Sequence, residues 1–229
     1  MALIKFGAVV VDASGKSNGH VFSKNRGGSY LRTKVTPTNP RSSDQIAARA
    51  KVSTYAQGWR GLTDAQRTAW NAAVADFKRT NIFGDMKSPS GINLYVRINT
   101  NIALAGGTAI STPPLPSSVP GITTLSATAA HGTPAVSLTF SPAITSGHEM
   151  IVRATPAMSP GKSFVKSALR ICAKLTSTDS SPKDILSLYT AKFGSVGAAG
   201  QKIHFEAYVI DSTNGLVGAK ASCDCTIGA

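Results

Sequence analysis

Cysteine is scarce in this chain: Cys172, Cys223 and Cys225 are the only three in 229 residues. An odd and sparse set excludes a disulfide-stapled secreted scaffold and fits free thiols in a reducing cytoplasm. Acid is scarce too, with 11 Asp+Glu against 24 Lys+Arg and a formal charge of +13. Glu149 and Glu206 are the only glutamates and the aspartates are dispersed, so no carboxylate dyad is visible for acid–base chemistry. Long hydrophobic runs are missing: none approaches the roughly 18 to 20 residues that cross a bilayer. Met1 to Val11 keeps Lys5 inside a short apolar stretch with no small-residue cleavage site after it, which argues against a secretory leader. No membrane partner is expected.

Apolar residues make up 42% of the chain, enough for packed cores and incompatible with disorder throughout. At about 100 to 200 residues per domain, the length allows one large or two small domains. Charge divides unevenly along it. Residues 1–100 hold 15 Lys+Arg and five Asp, a net +10, while residues 101–229 carry only +3. Between the halves lie Gly106-Gly107, Ser111-Thr112-Pro113-Pro114-Leu115-Pro116 and Val119-Pro120-Gly121, where proline removes amide donors and favours extended backbone. This predicts a basic module over 1–107, a linker over 108–121 and a second domain over 122–229.

In the front module, Ala8 to Val11 is a short β-branched run and Ser14 to Gly19 is rich in turn formers. The runs His20 to Lys24 and Ser29 to Val35 flank Asn25-Arg26-Gly27-Gly28, which reads as a β-hairpin turn. Period two puts Tyr30, Arg32 and Lys34 on one face and Leu31, Thr33 and Val35 on the other, where they could pack. Lys24, Arg26, Tyr30, Arg32 and Lys34 are therefore the candidate contacts of a cationic hairpin face. Such a face is a solvated strand surface, a contact for an acidic neighbouring subunit, or a set of phosphate contacts that release counterions without reading sequence.

After Pro37-Thr38-Asn39-Pro40 the period becomes helical. Ser42 with Gln45, and Thr63 with Gln66, are spaced as capping boxes. They predict one helix from near Ser43 to the Gly58–Gly61 region, carrying Ile46, Ala50, Val52, Tyr55 and Trp59, and another with the stripe Trp70, Ala73, Val74 and Phe77. The two should form a helical hairpin whose core holds the aromatics. A third helix, Ser90 to Ala105, places Leu94, Ile98, Ile102 and Ala105 on one side and stops at Gly106-Gly107.

Beyond the linker the period returns to two. Val136, Leu138 and Phe140 alternate with polar residues, as do Met150, Val152 and Ala154, then Leu169, Ile171, Ala173 and Leu175, then Ile203, Phe205, Ala207 and Val209. Asn214-Gly215 should turn the last strand into a long terminal hairpin with Val217, Ala219, Ala221, Cys223 and Cys225 on one face. Thr178 to Phe193 alternates poorly and reads as a short helix or an irregular excursion. About seven short strands over roughly 105 residues fit a two-sheet sandwich of immunoglobulin or fibronectin type III shape. The lack of an inter-sheet cysteine pair favours the fibronectin-like version. The expected fold class is thus an α+β front module followed by an all-β sandwich.

Chemistry-bearing motifs are weak throughout. Gly15-Lys16-Ser17 and Gly161-Lys162-Ser163 resemble the end of a phosphate loop, but the required first glycine is Val10 in one and Pro156 in the other. Turns bearing a solvated lysine are the better reading. Cys223 and Cys225 could share a strand face, yet zinc needs further ligands from Cys172, His148 or His204, and packed thiols fit better. The histidines sit apart from any nucleophile and acid at triad spacing. Gln66, Arg67 and Asn71 could reach base edges if the first two helices were a helix-turn-helix, although Asp64 and Asp76 share the proposed reading helix. No catalytic residue, cofactor site or metal site is expected.

An ordered set of short motifs adds a resemblance. Gly15-Lys16-x-x-Gly19-x-Val21-Phe22, Arg26-Gly27-Gly28-x-Tyr30-x-Arg32 and Pro37-x-Asn39-Pro40-x-Ser42 are followed by Trp59-Arg60-x-Leu62-Thr63-x-x-Gln66-Arg67-x-x-Trp70-Asn71. Asn81-x-Phe83-Gly84 and Ser90-Gly91-x-Asn93-Leu94-Tyr95 complete the series. Over about residues 1–107 this is similar to a group of bacteriophage and prophage virion proteins. The resemblance implies a structural component of a tailed particle: an oligomeric neck or tail ring (a head–tail connector) or a capsid-associated protein, assembled in the bacterial host cytoplasm. Its partners would be copies of itself and neighbouring virion proteins, with non-specific contact to packaged DNA as a further option, and it implies no catalytic residues. The alternative expectation is a nucleic-acid-binding protein that uses the basic front module.

Overall fold

The computed structural model describes every residue except Met1, Pro37, Pro40 and Ile82, and the side chain of Ala2. Pro37 and Pro40, which precede the first helix in the motif series, therefore lie outside the described residues. The front of the chain forms a four-stranded antiparallel sheet: β1 (Ala2–Ile4), β2 (Gly15–Ser17), β3 (His20–Asn25) and β4 (Gly28–Thr33), in the order β1-β4-β3-β2. The expected hairpin is β3–β4, closed with Asn25 opposite Gly28 and Arg26-Gly27 at the tip. One local expectation needs correction. Gly15-Lys16-Ser17 is a strand rather than a turn, because Asn18, at φ 48°, and Gly19 make the tight turn after it. The β-branched run Ala8–Val11 joins no ladder, and Val9 is 97% exposed.

Three helices follow. α1 (Ser43–Gly58) begins at Ser42, whose hydroxyl accepts the Gln45 amide proton. The reciprocal half of this capping box is missing, since Gln45 Oε1 is buried without a partner among the described residues. α2 (Asp64–Ala73) has the full box, with Thr63 and Gln66 each bonding the other's backbone amide. Between β5 (Arg79–Thr80) and β6 (Met86–Lys87), Asn81 pins a tight loop, and α3 (Gly91–Leu104) starts at Ser90. The expected α1–α2 hairpin is corrected: the two helices scarcely touch each other and each lies on α3. The reason is Tyr95 on α3, which takes Trp70 edge-on at 5.3 Å and Trp59 at 5.6 Å. The stripe on α1 stays open, with Ile46 and Val52 about half exposed.

The seven rear strands are β7 (Thr124–Ala130), β8 (Ala135–Ser141), β9 (His148–Ala154), β10 (Arg170–Leu175), β11 (Lys183–Asp184), β12 (Lys202–Asp211) and β13 (Ala221–Gly228). The excursion after Thr178 contains β11 and a short helix, α4 (Leu186–Phe193). The strands form one curled mixed sheet in the order β10-β9-β12-β13-β7-β8-β11. All its ladders are antiparallel except β13–β7, a parallel contact of two residue pairs. The chain is therefore a mixed α+β protein. Ile203, Phe205, Ala207 and Val209 point into the core as their alternation predicts, with Val136, Leu138, Phe140, Met150 and Val152.

The alternation misplaces two segments. A bulge between Ile171 and Ala173 leaves Ile171 45% exposed, and its expected neighbours Ala173 and Leu175 stay buried. In the terminal hairpin the chain leaves the ladder around 218–220, so Val217 and Ala219 face outward and Leu216 is buried instead.

The front helices are bolted to this sheet. α3 covers the outer face of β9 and β12, where Ala105 joins Ile151 and Ile210 in a small second core. Asn101 donates to the carbonyl of Gly215 at 2.9 Å. Gly215 sits at φ +67°, and a Cβ there would lie 2.5 Å from the Ile98 carbonyl oxygen, so both the conformation and the close approach require glycine. Residues 108–121, expected as a linker, form no helix or strand but are tied down. Asn99, fully buried, donates to the carbonyl of Ile110 and accepts its amide proton at 2.7 Å, and the Trp70 indole donates to the Ser111 carbonyl at 2.7 Å. Val119 is buried in the same continuous core as Trp70 and Phe205.

Candidate interaction surface

The candidate cations of the hairpin do not share one face. Residues directly opposite each other in a ladder project to the same side. Val21 lies between Lys16 on β2 and Arg32 on β4, so Lys16, Arg32 and, by alternation, Tyr30 share one side. Lys24 pairs with Ser29 and lies on the opposite side with Phe22 and Leu31, where its ammonium reaches Asp12 at 3.5 Å. Arg26 is at the turn tip. Lys34 follows the end of β4, its amide donating to the Gly19 carbonyl. The side bearing Arg32 thus gains Lys16, which linear alternation within one strand cannot find, and loses Lys24.

The other side of the sheet does not pack as expected. Phe22 and Leu31 face each other across the ladder and are half-buried, while Thr33 and Val35 are exposed. Among the described residues, none before Leu62 is buried. The sheet meets the rest of the chain lightly: Lys5 bonds Asp85 at 3.3 Å and sits over the Phe83 ring at 5.4 Å. Hydrogen bonds from Asn81 and then Lys5 hold the Asp85 carboxyl below its ordinary pKa. β1 and β2 are the two edge strands of the sheet.

Other sequence candidates resolve differently. The three side chains of a helix-turn-helix reading are engaged internally: Gln66 caps α2, Arg67 bonds the carbonyls of Trp59 and Arg60, and Gly91 of α3 packs against Asn71 so closely that a Cβ would clash. Trp59, Trp70 and Tyr55 pack in or against the core rather than standing as stacking platforms, and Phe77 lies under Arg97. Cys223 and Cys225 face inward opposite Phe205 and Ile203. Burial pushes the Cys172 and Cys223 thiols up to about 11, which removes thiolate character at neutral pH. Among the described residues no three His, Cys, Asp or Glu converge as a metal site would require.

No family, curated protein or solved structure matches the chain. The site has to be read from its own geometry. That geometry offers two strand edges, cations on both sides of a thin sheet, and exposed apolar residues such as Val9, Val11 and Val35. These are the elements of a docking surface.

Proposed function

We propose that the protein is a structural component of a tailed bacteriophage particle, an oligomeric neck or tail ring or a capsid-associated protein. It works by multivalent docking to copies of itself and to neighbouring virion proteins. One observation carries the docking reading. The chain exposes 13199 Å², whereas a compact monomer of 23.7 kDa exposes roughly 9,800 Å². The excess is of the size that stable assemblies bury, and much of the arm, 2–42, lies open to solvent. An open strand edge can gain backbone hydrogen bonds from a neighbour by β-augmentation, and closed symmetry multiplies a modest contact into a strong one.

The formal charge of +13 opposes bringing identical copies together. The contact between copies is therefore made by the strand edges and by Phe22 and Leu31, while the cations face acidic neighbours. The rear sheet is a fibronectin type III-like sandwich in this reading. Its two sheets are β7-β8-β11 and β10-β9-β12-β13, joined at the two-pair β13–β7 ladder. Mass photometry of the purified chain should show discrete oligomers, and electron microscopy of particles should place the chain in the virion. A strictly monomeric chain absent from particles would defeat the reading.

A second reading, binding of nucleic acid by the front module, is favoured by the +10 charge of the first hundred residues. Affinity would then fall steeply with salt and be lost when Arg26, Arg32 and Lys34 are replaced together.

A further inference from the structure

The front module has a second focus of positive charge away from the hairpin. β5 and β6 place Arg79 directly opposite Lys87. Like charges in that position weaken a ladder, and this one has two residues per strand. Beside it, Arg97 of α3 is half-buried with its guanidinium 5.8 Å from the centre of the Phe77 ring. Burial first, and the charge of Arg79 second, disfavour its cationic form. Among the described residues, no carboxylate is ion-paired with Arg79, Lys87 or Arg97.

A recess of about 210 Å³ lies here, lined among others by Asp76, Lys78, Arg79, Arg97 and Asn101. Lys87 lines a separate recess with Asp85 and with Gly27 and Gly28 of the hairpin turn. Folding gathers these cations between the hairpin turn and α3, with Asp76 and Asp85 beside them but, among the described residues, in no ion pair with Arg79, Lys87 or Arg97. A partner with closely spaced anions along its length fits this cluster. Nucleic acid, with one charge per about 1.7 Å of duplex, has that density, whereas an acidic peptide spreads its carboxylates further apart.

We propose that Arg79, Lys87 and Arg97 form a phosphate-binding cluster that grips the backbone of a nucleic acid without reading its bases. This rests on the second reading above and names residues beyond the hairpin. The amide of Asn101 in the recess is engaged with the Gly215 carbonyl, and cations on phosphates carry no sequence information, so binding is expected to be indifferent to sequence.

The test is fluorescence anisotropy of the full chain with a labelled duplex of about 20 base pairs, from about 50 to 300 mM NaCl. Replacing Arg79 and Lys87 by Ala should make the slope of log affinity against log salt shallower by about 2, and adding R97A should bring the change to about 3. The exposed pair K162A/K166A should leave the slope unchanged. Thermal melts verify folding, and R97K, which keeps the charge at the half-buried position, should retain the wild-type slope. An unchanged slope in R79A/K87A would overturn the cluster. So would a polyglutamate probe that binds as tightly as the duplex with the same sensitivity to the variants. If R26A/R32A/K34A abolishes binding while R79A/K87A does not, the nucleic-acid reading survives and the cluster fails. If the wild-type chain ignores the duplex even at about 50 mM salt, both fail. Inorganic phosphate that displaces the duplex better than chloride at equal ionic strength supports the phosphate chemistry.

Discussion

The arm of residues 2–42 and the body around α3 and the seven-stranded sheet are both built from short regular elements, yet they are held in different ways. In the body, side chains such as Trp70, Leu94 and Phe205 are removed from water and carry most of the stability. In the arm the strands pair in ladders but none of the described residues is buried, so backbone hydrogen bonds, each of small net worth in water, hold it. A sheet of this kind is marginal alone and gains from whatever covers it. The difference teaches that the arm rests on its backbone ladders, whereas the body is held by its core.

Mutations can break that contrast. The largest effect is expected in the body: Phe205→Ala should destabilise the full chain by about 3 to 5 kcal/mol, measured by denaturant titration. A loss near zero would mean that the core face of β12 is misassigned. Gly215→Ala should cost about 2 to 4 kcal/mol, because it adds a Cβ at positive φ against the Ile98 carbonyl. Thermal melts would report it, and a neutral result would separate α3 from the terminal turn. Asn99→Ala should cost about 1 to 3 kcal/mol by stranding the Ile110 amide and carbonyl, with faster amide exchange along 108–121.

Acid sharpens the same contrast. Burial raises the pKa of Glu206, but hydrogen bonds from Lys220 and Arg153 outweigh it and hold the carboxyl below its usual 4.5. The stability it contributes is present above that value and lost as pH falls through the lower folded pKa. Melts from neutral pH toward 3 should therefore show the body weakening, and Glu206→Gln should flatten that dependence. The smallest effect is in the arm: Phe22→Ala should change monomer stability by less than about 1 kcal/mol while weakening any oligomer. A core-sized loss in the monomer would show that the arm has a hidden core.

Much of the fold was legible because local rules govern it. The Ser42 and Thr63 caps, the Asn25–Gly28 turn and the inward set on β12 each depend on residues close in sequence. The candidate surface was less legible. Lys24 and Lys16 exchange roles only when cross-strand register is known, and Arg79, Lys87 and Arg97 become neighbours only when the β5–β6 hairpin meets α3.

By itself, then, the sequence determined the basic front, the helix starts, the hairpin turn and the number of rear strands, since capping, turn chemistry and hydrophobic period act over a few residues. The tertiary structure alone decided that α1 and α2 rest on α3 rather than on each other, and that 108–121 is strapped to the core by Asn99 and Trp70. It alone decided that β13 meets β7 to join the rear strands into one order. Those outcomes depend on which apolar surfaces and unpaired backbone groups find each other across long stretches of chain, and no local pattern encodes that choice.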